Sequence, residues 1–319
     1  VAAAGSRGLR ISAGALRAVA RGRRVSSLTW AAQYPDSAIV RAMTIDQKPS
    51  DSGTYVLGHV DTEIQRLLLQ GRLHNDFTEH VLRLAGLRPG MRVLDVGCGP
   101  GDVSIIAARL VGQGGSVLGV DAAADVVGLA RSRAAQQGLH TVRFEATAIG
   151  AIRLNRPVDA VIGRLILMHL ADPVAALRQL AAMVRPGGLV IFCESDINGV
   201  YSVADLPLWR AVKDSFTKTF ESVGLDAAFG AKLHTVFRRA GLAPPRLVLG
   251  APLGPGDDAD ILTYVVETWR SILPVAEQQG LIPDELADLS TLRQRLQAEA
   301  TAAQAMIVMP PLVCAWAQV

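Results

Sequence analysis

The chain has 319 residues, half of them apolar and 19% charged, which excludes an extended disordered protein and predicts a packed globular one. No uninterrupted apolar run approaches the ~20 residues needed to cross a membrane. The formal charge of +3 comes from the first 42 residues, which hold seven arginines against the single acid Asp36, so the remainder carries 25 basic and 28 acidic residues. That mild acidity speaks against a nucleic-acid partner, which calls for a basic face. Cys98, Cys193 and Cys314 lack paired spacing, and the expectation is free thiols in a reducing cytoplasm with no disulfide framework. No C-x-x-C or H-E-x-x-H spacing marks a metal site.

Residues 1–45 form a basic segment predicted to be disordered. Its composition fits a transit peptide, a flexible basic arm, or upstream sequence ahead of a native start at Met43, the last being preferred. Residues 46–54 read as a linker. Ile64, Leu67, Leu68, Val81, Leu82 and Leu84 recur at helical spacing and predict two or three helices, an N-terminal lid over 46–88. After the Pro89-Gly90 turn, strands and helices alternate at 91–96, 102–111, 116–120, 123–137, 141–145, 158–163, 172–184 and 188–194. Asp172-Pro173 is a helix start, with Asp as N-cap and Pro in the first turn. Such alternation predicts a parallel sheet covered on both faces. Helices near 205–222 and 230–240 and a strand over 246–249 follow. Helices at 258–273 and 284–302 are predicted next, and Met306 to Trp316 reads as one last strand. The core then comprises 89–252 and 303–319, with 253–302 as a helical cap that binds the acceptor. An insertion of that length is usually functional.

One stretch carries most of the chemical information. Val93-Leu94-Asp95-Val96 is a short apolar strand, and Gly97-Cys98-Gly99-Pro100-Gly101 follows it with glycine at alternate positions. Such a turn lets backbone pass close to a ligand. Asp121 ends the next strand, where an acidic residue takes ribose hydroxyls in nucleoside-binding α/β domains. The third glycine comes one residue too early for the dinucleotide fingerprint. Asp102 then faces the helix N-terminus, a poor place for a pyrophosphate and a better one for a cationic ligand.

These residues resemble the first two motifs of class I S-adenosylmethionine-dependent methyltransferases. Val158 to Leu165 is similar to that family's fourth strand, and Arg185 to Phe192 to its turn into the fifth, so the resemblance covers about 91–195 in order. It implies a Rossmann-like, doubly wound α/β fold with a mostly parallel seven-stranded sheet, added N-terminal helices and a helical insertion before the last strand. It also implies S-adenosylmethionine as cofactor. Gly97, Cys98, Gly99 and Gly101 are then the turn against methionine and ribose, Asp95 orients that turn and reaches toward the ammonium, and Asp121 with Ala122 meets the ribose. The family's acidic residue after strand three is missing, which leaves Thr147 or the Ala148 backbone near the adenine. Arg164 and Tyr55 complete the expected cofactor set.

Candidates for catalysis are His169, past strand four, and Glu194, at the end of strand five. Each could equally be a locally packed residue or a loop cap, and Asp196 shares the second ambiguity. Tyr55 and His59 could close over the ligands or lie on the surface. Tyr264 and Trp269 could stack on a planar acceptor or belong to the core. Arg164 could pair with an acceptor acid or stay solvated. The end of strand four lacks an Asn-Pro-Pro-Tyr motif for planar amines, and a Pro-Cys dipeptide of the cytosine-methylating kind is absent. The expected partner is a small, largely hydrophobic acceptor, as in bacterial secondary metabolism or quinone-type methylation. Nucleic acid and membrane are not expected partners, and a homo-oligomer is compatible with the sequence. Methylation at O, N or C stays open. The rival readings are a nicotinamide-dependent oxidoreductase and a cofactor-binding protein that acts as a cyclase or regulator without methyl transfer.

Overall fold

The computed structural model describes residues 57–319, with side chains from residue 63 onward. Tyr55 lies outside the described residues, as does the side chain of His59. The described residues open with one helix, α1 (Leu57–Ala85), over the stretch 61–84 that was read as two or three. Its middle is polar because it faces polar partners, described below, so the gap in the apolar stripe is not a break.

A parallel core follows: β1 (Arg92–Val96), α2 (Asp102–Val111), β2 (Ser116–Asp121), α3 (Ala124–Gln136), β3 (Val142–Ala146), β4 (Val158–Arg164), α4 (Pro173–Ala181) and β5 (Val184–Ser195). Asp172 caps α4 by accepting from the Ala175 N–H at 2.8 Å. Next come β6 (Tyr201–Ser202), α5 (Pro207–Ser222), α6 (Leu233–Arg239), β7 (Arg246–Gly250) and β8 (Leu253–Pro255). The chain ends with α7 (Ala259–Gln278), α8 (Asp284–Ala287), α9 (Leu289–Ala302), β9 (Met306–Val308) and β10 (Leu312–Gln318).

The main sheet has seven strands in the order β3-β2-β1-β4-β5-β10-β7. All are parallel except β10, which runs antiparallel to both neighbours. The expected α/β class is therefore the observed one. Each face buries its own apolar layer, as a parallel sheet requires. Val93, Ile162 and Ile191 pack under α1, α2 and α3, while Leu94, Val161 and Val190 pack on α4 and α6. A third core lies apart from the sheet, built from Trp209 and Val212 of α5, Ile261, Val265 and Trp269 of α7, and Leu292 and Leu296 of α9.

Three expectations need correction. The last strand is split: β9 joins β6 and β8 in a small separate sheet, and β10 alone enters the main one, between β5 and β7. Pro310-Pro311 makes the break, since neither proline can donate to a ladder. Pro274 does not end α7, which continues to Gln278. Lastly, Cys193 and Cys314 oppose each other across β5 and β10 and are joined as a disulfide, with Cα atoms 4.0 Å apart. They are 121 residues apart in sequence. Only the strand pairing brings them together, so spacing gave no sign of the bond. The pairing also removes the cysteine-count argument for a reducing compartment. Cys98 stays free and buried. No described helix is long and apolar enough to cross a membrane.

Candidate active site

At the carboxyl ends of β1, β2, β4 and β5 a cavity of about 990 Å³ opens beneath α1, α5 and α7. This is the edge where open α/β sheets bind ligands. Gly97, Cys98, Gly99, Asp121, Ala122, Thr147, Ala148, Arg164 and His169 all line it. Asp95, Gly101 and Glu194 do not.

The glycine turn is held from below and from the side. Gly97 has φ +66°, and a Cβ there would stand 2.7 Å from Ile166 Cδ1. A Cβ at Gly99 would meet nothing within 4 Å, so that position opens onto the cavity. Gly101 is corrected: its Cβ would press on Ala130 and Phe144 at 3.0 Å, so it serves helix–sheet packing and not a ligand. Asp95 is also corrected. It is 1% exposed, lies beneath the turn, and accepts from Ser104 Oγ at 2.5 Å. Burial, only partly offset by Ser104, pushes its pKa up to about 7. Burial likewise pushes the Cys98 thiol up, so it is no nucleophile at neutral pH.

Asp121 sits at the cavity wall. Its Oδ2 accepts from the Gly99 N–H and its Oδ1 from the Ala123 N–H, both at 2.9 Å. A carboxylate offers about four lone-pair sites, so each oxygen keeps one for a vicinal diol. The Thr147 N–H in turn donates to the Asp121 carbonyl at 2.8 Å, which places Thr147 and Ala148 beside that carboxylate. These groups fit the ribose and adenine of S-adenosylmethionine. A pyrophosphate fits poorly. At the start of α2, where its oxygens would lie, stands the Asp102 carboxylate, paired with Arg133 through two contacts of 2.9 Å. Burial raises the Asp102 pKa, but the Arg133 pair outweighs it and holds the carboxyl below its ordinary range.

The sequence places a lid over 46–88 but does not single out the α1 residues that reach the cavity. Glu63, Arg66, Gln70 and His74 line the cavity from one stripe of this helix. Their spacings of three and four, which put them on one face of the helix, were the available signal. Arg66 grips Glu63 at 2.7 and 2.9 Å, and Ser271 Oγ of α7 donates to Glu63 as well. Burial works against the Arg66 charge, but Glu63 more than offsets it. His74 is 5% exposed, its Nδ1 has no partner, and burial beside Arg164 pushes its pKa down to about 3. Asn75 Nδ2 donates to Asp102 at 3.2 Å. Arg164 is not solvated, contrary to one of its readings. Its Nη1 donates to Asn75 Oδ1 at 3.1 Å and to Thr78 Oγ1 at 2.9 Å, which ties β4 to α1.

Beyond β4 the chain turns sharply. Leu165 has φ +57°, and a short 3-10 turn spans Leu167–His169. Glu194 is fully buried, and its Oε1 accepts from the N–H groups of Ile166 (3.1 Å) and Leu167 (2.8 Å). Burial pushes its pKa up to about 7. Glu194 thus braces the turn from behind, which corrects its candidacy as a group in contact with ligands. Asp196 is a cap, accepting from the Asn198 N–H. His169 does face the cavity. Its Nδ1 has no partner among the described residues, and burial together with Arg66 pushes its pKa down to about 4. Tyr264 lines the cavity, whereas Trp269 is wholly buried against Phe216, with ring centroids 5.7 Å apart.

Comparison with known proteins agrees with this geometry. Residues 87–241 match the family model described as a methyltransferase domain. A ubiquinone biosynthesis O-methyltransferase of Dinoroseobacter shibae is 31% identical over 153 residues, 43% of this chain and 60% of that protein. An uncharacterized 37.1 kDa transposon protein of Streptomyces fradiae is 31% identical over 163 residues, 50% of this chain and 46% of the other. The chain thus spans about half the length of these curated relatives. A solved structure from Bacillus halodurans C-125, described as a methyltransferase, shares the fold at a TM-score of 0.51 and 15% identity, covering 76% of this chain and 97% of the other. The glycine turn, the acidic residue closing β2 and the strand order all fall within or around the matched segment. Residues 87–241 are thus a methyltransferase domain of the class I S-adenosylmethionine-dependent type, and S-adenosylmethionine is the cofactor this implies.

Proposed function

We propose that this protein transfers the methyl group of S-adenosylmethionine to a small, largely hydrophobic acceptor held between the core and helices α1, α5 and α7. One observation carries the reading: a single cavity runs from Asp121 and Gly99 to an apolar wall of Trp209, Val212, Phe216, Val265 and Ile272. The cofactor supplies an already activated methyl on a sulfonium. Asp121 holds the ribose hydroxyls, Thr147 and Ala148 flank the adenine, and Gly97 and Gly99 let the backbone approach. The apolar wall excludes water and fixes the acceptor for in-line attack, which is most of what this displacement needs. The D. shibae relative, named as a ubiquinone biosynthesis O-methyltransferase, supports an acceptor of this character.

Calorimetric titration of the full chain with S-adenosylhomocysteine, with NADH as comparison, tests the reading. Micromolar binding of the first alone is expected. Binding of NADH instead, or of neither, would refute it.

A further inference from the structure

Several groups that could take a proton lie in or near the cavity, and most are already engaged. Glu63 is held by Arg66 and Ser271. Glu267 is paired with Arg270 at 3.1 Å. Asp102 is paired with Arg133. Asp121 serves two backbone N–H groups, and Glu194 stands behind the wall. His74 lies at the cofactor end, next to Arg164 and one helical turn from Thr78. His169 is left. It lines the cavity on the turn after β4, near the Glu63–Arg66 pair, with ring nitrogens that accept no bond from the described residues.

Resting on the methyltransferase reading above, we propose that His169 receives the proton of an acidic hydroxyl, phenolic or enolic, so that the acceptor atom is oxygen on a flat apolar skeleton. In the step the acceptor O–H bond breaks and its proton goes to an imidazole nitrogen. An O–CH3 bond forms as the S–CH3 bond breaks, with the S–C electron pair staying on sulfur. The products are a methyl ether, S-adenosylhomocysteine and imidazolium, which later releases its proton to water. Charge is conserved inside the cavity: the sulfonium cation vanishes as the imidazolium appears. In a buried site that matters, because creating a new unpaired charge there is costly. Burial and Arg66 hold the ring neutral and weakly basic before reaction, which restricts it to acidic hydroxyls. Among the carboxylates that line the cavity only Asp125 is without a partner among the described residues, and it is exposed at the start of α3, beside Asp121 and Ala122 at the nucleoside end.

The probes are 2-naphthol, 2-naphthylamine and 2-methylnaphthalene, which share a skeleton and differ in one group. Their binding to the full chain saturated with S-adenosylhomocysteine is measured by fluorescence, and products with methyl-labelled S-adenosylmethionine by mass spectrometry. The expected result is at least tenfold tighter binding of 2-naphthol than of the other two, and formation of its methyl ether without any N-methyl product. His169→Leu and His169→Gln should both keep S-adenosylhomocysteine affinity within about twofold. Both should lose at least 100-fold in ether formation, the usual range for a positioned general base, and His169→Leu should also lose the hydroxyl preference. Equal binding of the three probes, an N-methyl product, or undiminished ether formation in the variants overturns the proposal. So does a chain that binds S-adenosylhomocysteine but neither binds nor methylates 2-naphthol, and that outcome leaves the methyltransferase reading standing. Failure to bind S-adenosylhomocysteine would instead overturn that reading itself.

Discussion

Replacing Gly97 with alanine tests how the glycine turn and the turn after β4 depend on each other. The added methyl would stand 2.7 Å from Ile166 Cδ1 and Cγ1 and 2.9 Å from its Cβ. The last of these is not the free end of a flexible side chain, so backbone must move. That backbone is pinned, because Glu194 accepts from the Ile166 and Leu167 N–H groups and Leu165 already has φ +57°. Two costs add. An alanine at φ +66° costs about 1–2 kcal/mol, and overpacking against a fixed neighbour costs about 1–3 kcal/mol. Gly97→Ala should therefore lose about 2–5 kcal/mol of stability in urea unfolding. Ile166→Ala removes the two 2.7 Å contacts but keeps the 2.9 Å contact with Cβ and the backbone strain. In the double variant the part of the overpacking share that comes from Cγ1 and Cδ1, about 1–2 kcal/mol, should be recovered as a favourable coupling. Costs that simply add within ~0.5 kcal/mol would show that the two turns are not in contact in the way described. A Gly97→Ala variant of unchanged stability would refute the packing argument altogether.

Two further outcomes are expected. Asp121→Ala removes the acceptor of two backbone N–H groups and the proposed ribose contact, and should weaken S-adenosylhomocysteine by about 2–3 kcal/mol in calorimetry; unchanged affinity would take Asp121 out of the site. For Glu194, the folded pKa of about 7 lies above its ordinary value of 4.5, so the folded chain holds more protons between those values. Wild-type stability therefore loses up to about 1.4 kcal/mol per pH unit through this group as pH rises from 4.5 to 7. Glu194→Gln should remove that slope in unfolding titrations at pH 5, 6 and 7, and parallel curves for the two proteins would refute the buried-carboxyl assignment.

The legible parts of this chain are those where the signal is local. Gly97 to Gly101 and Asp121 announce themselves because a tight turn and the end of a strand need particular residues within a few positions. Asp172-Pro173 starts α4 for the same reason. What escaped the reading depends on distant pairings. His74, Asn75 and Thr78 look like an interruption of a helix until Arg164 and Asp102 are brought against them. Glu194 looks like a loop acid until the N–H groups of Ile166 and Leu167, nearly thirty residues earlier, are seen to point at it. Cys193 and Cys314 meet only because β10 slots between β5 and β7. Gly101 and Asp95 were assigned to the ligand because a motif does not say which of its residues face outward and which support from beneath.

The small sheet has a consequence for how the chain can change. Gly256 donates its N–H to the Ala305 carbonyl at 2.9 Å, and β8 and β9 are paired directly outside that contact. The segment carrying α7, α8 and α9 thus leaves and re-enters the molecule at one zipped point, and it brings much of its own apolar core with it. The two ends of the segment are thus fixed relative to each other, while its core is shared with Trp209 and Val212 of α5 and its α7 is tied to α1 through Ser271 and Glu63. On the proposed reading, transplanting residues 257–304 should alter acceptor range, and α5, which shares their core, has to travel with them.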